Sequence, residues 1–474
     1  MLTLADAIEA LTKFRPLAVT VITEAVIDSR QVIPGSMFVA IPGEKVDGHD
    51  FIRDAFKRGA SFALIQRDVG ASFRTLDLRS VTSVESFVNQ DLTPPLCLRV
   101  ENTVTALQQI ARYWRRKLDL RVIGITGSVG KSTTKEMATE VLSTRYRTLK
   151  SPGNLNNEIG LPLTMLRLSY GHQRAVFEMG FYIPGEIAFL CDIALPQVGV
   201  VTNIGTVHAE RAGSQEAIAR GKAELVQALP PAPEGVAILN FDDPWVRKME
   251  EKTKARVFFY GLSPEAHLWA DHVVGLGLDG IRFRLHYAGE TLHVKIPLIG
   301  RHSVHTALRA AAVGLAEGMN WQEILEGLNQ GHTQLRLAAV RSETGALLLD
   351  DTYNASPESM LAALNLLDEL DGRKVAVLGD MLELGPYERG GHEMVGLRAA
   401  QVANVLLTLG ERAHIFAEAA RRAGMKKSSI IEFNEFDPLV EWLKTNLTKD
   451  DVVLIKGSHG LRMDRITSLL EVRS

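Results

Sequence analysis

At 474 residues the chain is too long for one ordinary core, and the usual size of a folding unit implies roughly three domains. With 46% hydrophobic and 23% charged residues it is a globular chain rather than a disordered or fibrous one. A formal net charge of −3 gives no case for a dedicated nucleic-acid binder, so an anionic ligand must be held locally, by backbone N–H groups, lysine and metal.

The N-terminal MLTLADAIEALTKF carries Leu4, Ile8 and Leu11 at helical spacing with Asp6 and Glu9 among them, which predicts an amphipathic helix and not a signal peptide. Residues 36–41 read as a strand, 51–59 as a helix and 61–65 as a further strand, and Thr93-Pro94-Pro95 punctuates the end of a first unit, 1–97. A second unit, 98–331, opens with the β-branched run 121–126, which ends in a Gly-rich turn before a helix from Lys131 to about Tyr146. Its later strands are 175–177, 198–202 and 236–239, and continuous apolar strands between helices imply a parallel sheet covered on both faces. A third unit, 332–474, repeats the pattern with strands at 346–349, 375–378, 405–408 and 452–455. Within it Ser356-Pro357-Glu358 is a helix start: a capping hydroxyl, a first-turn proline and an acid facing the dipole. The expected fold is α/β in three domains: a small N-terminal one, a central P-loop parallel-sheet domain and a Rossmann-like C-terminal one. No apolar stretch is long enough to cross a bilayer, and Cys97 and Cys191 are too few for a disulfide framework or a structural zinc site. A cytoplasmic protein without membrane insertion is expected.

The turn after the first central strand is Thr126-Gly127-Ser128-Val129-Gly130-Lys131-Ser132. Strict Walker A spacing places a glycine where this chain has Ile125, so Gly127, Gly130, Lys131 and Ser132 carry the chemistry. Glycines let backbone N–H groups reach phosphate oxygens, the helix N-terminus adds positive potential, Lys131 neutralises the outer phosphates and Ser132 is placed to ligate Mg²⁺. Ligands of open α/β sheets sit beyond the carboxyl ends of the strands. Glu178 (in FEMG), His208 (in TNIGTVHAE) and Lys222 (in ARGKAEL) gather at that edge. Singly, such a glutamate is a helix cap or an ion-pair member, such a histidine a hydrogen-bonded side chain, and such a lysine a solvated face. Their convergence on one edge suggests a site for one or two Mg²⁺ ions between ATP and an acceptor.

Together these residues resemble the Mur ligase family, the ATP-dependent amino-acid and dipeptide ligases of peptidoglycan synthesis, over essentially the whole chain. DDTYNASPESM (350–360), GDMLELG (379–385), VLIKGSHGLRMDRI (453–466) and SPGNLNNEIGLPLTML (151–166) look like the branch that adds D-alanyl-D-alanine. DSRQVIPGSMFVAIPGEKVDGHDFI (28–52) resembles the domain that holds the uridine end of a UDP-muramoyl peptide. The resemblance implies that Thr126, Gly127, Ser128, Val129, Gly130, Lys131, Ser132 and Thr133 bind ATP, with His302, Arg336 and Asp351 completing the nucleotide site. Ser132 and Glu178 would hold one Mg²⁺, and His208 a second together with Lys222, which in this family is typically carbamylated. Ser29, Arg30, Asp47, Gly48 and His49 match uridine-nucleotide contacts. Asn154, Asn157 and Glu158 are candidates for the muramoyl end, and Tyr353 and Asn354 for the incoming dipeptide. The chain departs from the family where Ser303 and Thr306 stand in place of asparagines near the adenine, and where His459 replaces an arginine.

The reaction so implied passes the γ-phosphoryl of ATP to the tripeptide carboxylate, and the dipeptide amine then displaces phosphate from the acyl phosphate. It requires the third domain to close on the second. A monomer is expected. Rival readings are another amide ligase of the same superfamily (single amino-acid-adding or folate-extending) and a nucleotide-binding regulatory protein. A P-loop motor lacks a Walker B strand.

Overall fold

The computed structural model describes residues 1–80, 92–330 and 338–471. Its strands form three sheets in chain order. The first contains β1 (Ala25–Val26), β2 (Met37–Val39), β3 (Phe62–Ile65), β4 (Thr75–Asp77) and β5 (Leu96–Arg99), all parallel, in the order β1-β2-β3-β5-β4. The helix expected at the N-terminus spans Leu4–Thr12 and begins in a reciprocal capping box: Thr3 N donates to Asp6 Oδ2 (2.9 Å) and Asp6 N to Thr3 Oγ1 (3.2 Å).

Asp6 also receives Arg15 (2.8 Å) and Lys117 (3.1 Å), and so ties the first unit to the helix Thr103–Lys117. Burial alone would raise its pKa, but the bonds from Thr3, Arg15 and Lys117 outweigh that and hold it at about 2. A carboxyl depressed on folding stabilises the fold above its unfolded pKa, and that contribution is lost as pH falls through the folded value. Asp6→Asn is therefore expected to cost about 1–2 kcal/mol at pH 7. The wild-type advantage should shrink between about pH 4 and pH 2. Chemical denaturation of both proteins across that range is the check, and an advantage that does not change with pH would refute the assignment.

The central sheet holds β6 (Arg121–Thr126), β7 (Thr148–Lys150), β8 (Arg174–Glu178), β9 (Val198–Val201), β10 (Val236–Asn240), β11 (Arg256–Gly261), β12 (Leu268–Gly275), β13 (Ile281–Tyr287) and β14 (Glu290–Ile296). Its order is β14-β13-β12-β11-β10-β9-β6-β8-β7. From β7 through β12 the pairing is parallel, as expected from the buried apolar runs. At its far end β12, β13 and β14 form an antiparallel meander that the sequence reading did not anticipate. The third sheet holds β15 (Ala338–Arg341), β16 (Leu347–Asp350), β17 (Arg373–Gly379), β18 (Val405–Leu409), β19 (Ile430–Phe433) and β20 (Asp451–Lys456), in the order β15-β16-β20-β17-β18-β19, with only the β15–β16 pair antiparallel. Ser356 caps the helix Pro357–Glu369, its Oγ accepting from Ser359 N (3.2 Å).

One apolar interior runs from Leu2 to Ala266 and so underlies both the first and the central sheets. The helix Thr103–Lys117 bridges them: Thr103 Oγ1 donates to Ala40 O (2.9 Å), and Trp114, fully buried, donates from Nε1 to Leu168 O (3.0 Å). Both cysteines are buried and free. No helix among the described residues is long and apolar enough to cross a membrane.

Candidate active site

The turn after β6 folds as it does because its two glycines leave room that no side chain would. Gly127 has φ +141°, and a Cβ there would stand 1.8 Å from Thr202 Oγ1; Gly130, at φ +84°, caps the helix Lys131–Ser143. The end of β9 braces the turn. Ser128 N donates to Asn203 O (2.9 Å), Val129 N to Asn203 Oδ1 (2.8 Å), and Thr202 Oγ1 to Val129 O (2.7 Å). Ser128 Oγ accepts from Gly205 N (2.8 Å), and Thr126 Oγ1 points inward to Met179 O (3.1 Å). Lys131 folds back over the turn, its Nζ donating to Gly127 O (2.9 Å) and Ser128 O (3.3 Å).

Two side chains from neighbouring elements contact this loop, Glu178 and Lys222, and a third, His208, feels the charge of Lys131. Glu178, the last residue of β8 and 2% exposed, accepts from Ser132 Oγ (2.6 Å) and from Asn156 Nδ2 (3.0 Å), with Lys135 Nζ 4.0 Å away. Lys222, on the helix Gln215–Gln227, is 1% exposed; its Nζ donates to Gly127 O (3.1 Å) and lies 4.7 Å from the centre of the Phe181 ring. Among the described residues no carboxylate pairs with it. Burial first, and the charge of Lys131 second, push its pKa well below that of a free lysine. His208 stands at φ +67° ahead of the short helix Ala209–Ala212, its ring against Tyr182. Its Nδ1 pairs with Glu383 Oε2 at 2.7 Å. Burial lowers the His208 pKa; the Glu383 bond opposes this, and the charges of Lys131 and Lys222 reinforce it.

Glu383 belongs to the third unit, so the His208–Glu383 pair is a contact between the central and third sheets. A cavity of ≈ 400 Å³ lies between the same two units. One wall is the loop from Ser128 to Thr133 with His302, Ser303, Thr306 and Arg309; the other is Asp351, Asn354, Ser356 and Lys456. Lys456 is buried, binds Asp351 Oδ2 (2.7 Å) and Asn354 O (2.9 Å), and thereby fixes the third unit's face of the cavity. Tyr353 is 40% exposed beside this wall, its ring 6.1 Å from that of His459.

The remaining sequence candidates lie elsewhere. Ser29–Gln31 and Gly48–Phe51 are short turns following β1 and β2, at one edge of the first sheet. Arg30 is exposed and paired with Asp28 (2.7 Å), and Ser29 Oγ donates to Asp54 (3.0 Å). The His49 side chain is fully buried: Nδ1 meets Asp47 Oδ1 (2.6 Å) and Nε2 accepts from Gln66 N (2.9 Å), so it shapes the turn rather than offering a nitrogen to a ligand. Asn154, Asn157 and Glu158 are exposed on the loop before the helix Gly160–Met165, whose Gly160 N donates to Asn157 Oδ1 (2.8 Å). Arg336 lies outside the described residues. Sequence reasoning missed Asn203, Asn156, Glu383, Lys456 and Arg309. Asn156 sits in the NLNNE run already singled out, and Glu383 and Lys456 fall inside quoted segments, so the motifs held them without showing their partners.

Among the described residues no three His, Cys, Asp or Glu side chains converge as a ready-made metal cage. The Ser132 hydroxyl in contact with the Glu178 carboxylate nevertheless offers hard oxygen donors. These suit Mg²⁺, which completes its shell with phosphate oxygens and water. On the Lys222 side an ammonium is no ligand for a cation, and His208 keeps only Nε2 free of the Glu383 bond.

Comparison with known proteins finds three family models: "Mur ligase family, catalytic domain" over residues 21–115, "Mur ligase middle domain" over 125–314, and "Mur ligase, glutamate ligase domain" over 335–459. The chain is 34% identical to the UDP-N-acetylmuramoyl-tripeptide–D-alanyl-D-alanine ligase of Bacillus subtilis, covering 94% of this chain and 93% of the relative. It is 35% identical to the ligase of the same name from Synechocystis, at 94% and 90% coverage. Among solved structures it resembles MurF from Acinetobacter baumannii (TM-score 0.81, 29% identity, 98% and 97% coverage) and MurF ligase from Thermotoga maritima in complex with ADP (TM-score 0.77, 28% identity, 97% of each chain).

Proposed function

The chain belongs to the Mur ligase family, and from that premise we infer that it joins D-alanyl-D-alanine to UDP-N-acetylmuramoyl-tripeptide using ATP, giving the pentapeptide precursor of peptidoglycan, ADP and phosphate. The observation that carries this reading is the cavity in which the phosphate loop faces Asp351, Asn354 and Lys456 of the third unit. A nucleotide there is gripped from both sides, and the reacting phosphoryl group is shielded from water.

A carboxylate does not accept an amine at neutral pH without activation. The N–H groups of residues 130–133 and the Lys131 ammonium hold the ATP phosphates and neutralise charge as the γ-phosphoryl passes to the tripeptide carboxylate. The dipeptide amine then attacks the acyl phosphate, the carbon–nitrogen bond forms, and inorganic phosphate leaves. Ser132 and Glu178 would hold one Mg²⁺, and His208 Nε2 with a carbamate on Lys222 a second; such ions neutralise phosphate charge. Lys222, buried and without a carboxylate partner among the described residues, favours the carbamate: its neutral amine attacks CO₂, loses a proton and becomes an anionic oxygen ligand. Asn156 orients the Glu178 carboxylate.

Residues 1–97 take the uridine end through the turns at Ser29, Arg30 and Asp47–His49; residues 98–331 bind ATP, with Asn154, Asn157 and Glu158 toward the muramoyl end. Residues 332–474 close on ATP and present Tyr353 and Asn354 to the dipeptide, with Arg336 and Asp351 toward the nucleotide. The enzyme works as a cytoplasmic monomer. Phosphate release with UDP-N-acetylmuramoyl-tripeptide and ATP should require D-alanyl-D-alanine and match pentapeptide formation one for one. Comparable release with a single amino acid and none with the dipeptide would assign the chain to another branch.

A further inference from the structure

We propose that Arg309 is a nucleotide contact: its guanidinium takes an oxygen of the phosphate group nearest the ribose of ATP. This rests on the reading of the cavity as the ATP site, and it assigns a ligand to a cation that the loop motif does not include.

Arg309 lies on the helix Val304–Ala316, is 5% exposed and lines the cavity. Its Nε donates to Thr134 Oγ1 (2.7 Å), its Nη2 to Thr306 Oγ1 (2.9 Å), and its Nη1 lies 3.5 Å from Tyr260 OH. All three partners are hydroxyls, and no carboxylate among the described residues pairs with it. Each terminal nitrogen therefore keeps a donor unspent. A buried guanidinium without a counter-anion is costly. The surroundings sharpen the cost, because Nη2 stands 3.0 Å from where a Cβ on Gly130 would be, at the positive end of the helix Lys131–Ser143. Lys131 folds over the same loop. Glu178 meets the loop through Ser132. A buried guanidinium set against a helix N-terminus and a lysine is built to receive an anion.

The position of Arg309 selects which phosphate. The guanidinium meets Thr134 through Nε, and its Nη2 stands between Gly130 of the phosphate loop and Thr306, on the wall shared with Ser303 and His302. The guanidinium thus stands where the phosphate chain joins the nucleoside. Its charge is supplied by the same helix face on which Ser303 and Thr306 carry only short hydroxyl side chains, and the Ser303 hydroxyl is already spent on Ile299 O (2.7 Å). A strong phosphate contact offsets a weakly polar base wall.

The test is binding of ATP, ADP, AMP and adenosine to wild type, R309M and R309K, read by displacement of a fluorescent ATP analogue, with melting curves of each protein. R309M should weaken ATP, ADP and AMP by a common factor of about 10- to 100-fold and leave adenosine within about twofold. R309K keeps the charge but not the planar fork, and should weaken the same three nucleotides by a smaller factor, about 3- to 10-fold. If R309M fails to fold, R309K alone decides, by whether AMP and adenosine part company. Equal weakening of adenosine and AMP would overturn the proposal, since it marks a base contact or a packing role; so would unchanged AMP binding. Wild-type protein that binds neither ATP nor ADP would instead overturn the reading of the cavity itself.

Discussion

Lys131→Met should lower kcat for ligation by about 10³-fold or more, with a smaller effect on the KM for ATP. The side chain lies half-buried along its own loop, with Nζ on the carbonyls of Gly127 and Ser128. Methionine reproduces its length and apolar stem, so the change removes the charge and little else, and the melting temperature should move by no more than about 2–4 °C. The expected split between kcat and KM follows from where charge develops. Backbone N–H groups and the helix N-terminus hold the phosphates of the ground state, whereas the lysine ammonium acts most strongly as negative charge redistributes on the phosphoryl group in flight. Single-turnover phosphate release measures the step directly. Turnover within about tenfold of wild type would mean that another cation does this work, and Arg309 and Lys135 are buried alternatives beside and on the helix Lys131–Ser143.

The parallel strands of the central and third sheets were legible because each is buried on both faces, so that apolar run and strand coincide: 198–202 was expected and Val198–Val201 is found. The meander β12–β14 was not, because it lies half-exposed at the end of the sheet. Its residues Asp271, Arg284 and His286 form a surface charge cluster that interrupts the apolar signal. The site divides along the same line. Lys131, Ser132 and Glu178 are reachable from sequence because each sits at a strand end or helix start fixed by local pattern, and Lys222 because it lies on the helix that follows the His208 segment. Asn203, Glu383 and Arg309 act through partners 74, 175 and 175 positions away, and pairings of that kind are set by sheet order and by the approach of the third unit. The two departures near the base wall, Ser303 and Thr306, were visible in sequence, but only the structure shows Thr306 accepting from Arg309. The irregular loop behaves likewise: Ile125 is the residue of β6 that lies beside Glu178 across the sheet, so the position that lacks a glycine is a buried strand residue and not part of the turn.

Lys222 is where a charge-preserving substitution should be as damaging as a deletion. Lys222→Arg keeps a cation of similar reach but carries no amine that can take up CO₂, and Lys222→Ala removes the side chain; both should lose about 10²- to 10³-fold in kcat. If the lysine served simply as a positive charge for ATP, the arginine variant would retain activity. Two observations argue against that simpler role. The ammonium would be held 1% exposed with no carboxylate partner among the described residues, and it would face Lys131 across the loop that must already accept the nucleotide. A carbamate would reverse the sign at that point and would supply the anionic oxygen that a second Mg²⁺ beside His208 would need. The alanine variant leaves a void beside Phe181 and Gly127 large enough for a small carboxylic acid. Acetate or propionate should therefore restore activity to Lys222→Ala by about tenfold or more, through a carboxylate bound where the carbamate stood. The same acids should do nothing for Lys222→Arg, whose side chain fills the space. Initial rates of phosphate release against acid concentration decide the point: rescue of the alanine variant alone supports the carbamate. An active arginine variant, or rescue of neither, leaves Lys222 as a structural cation and the second ion without a ligand set.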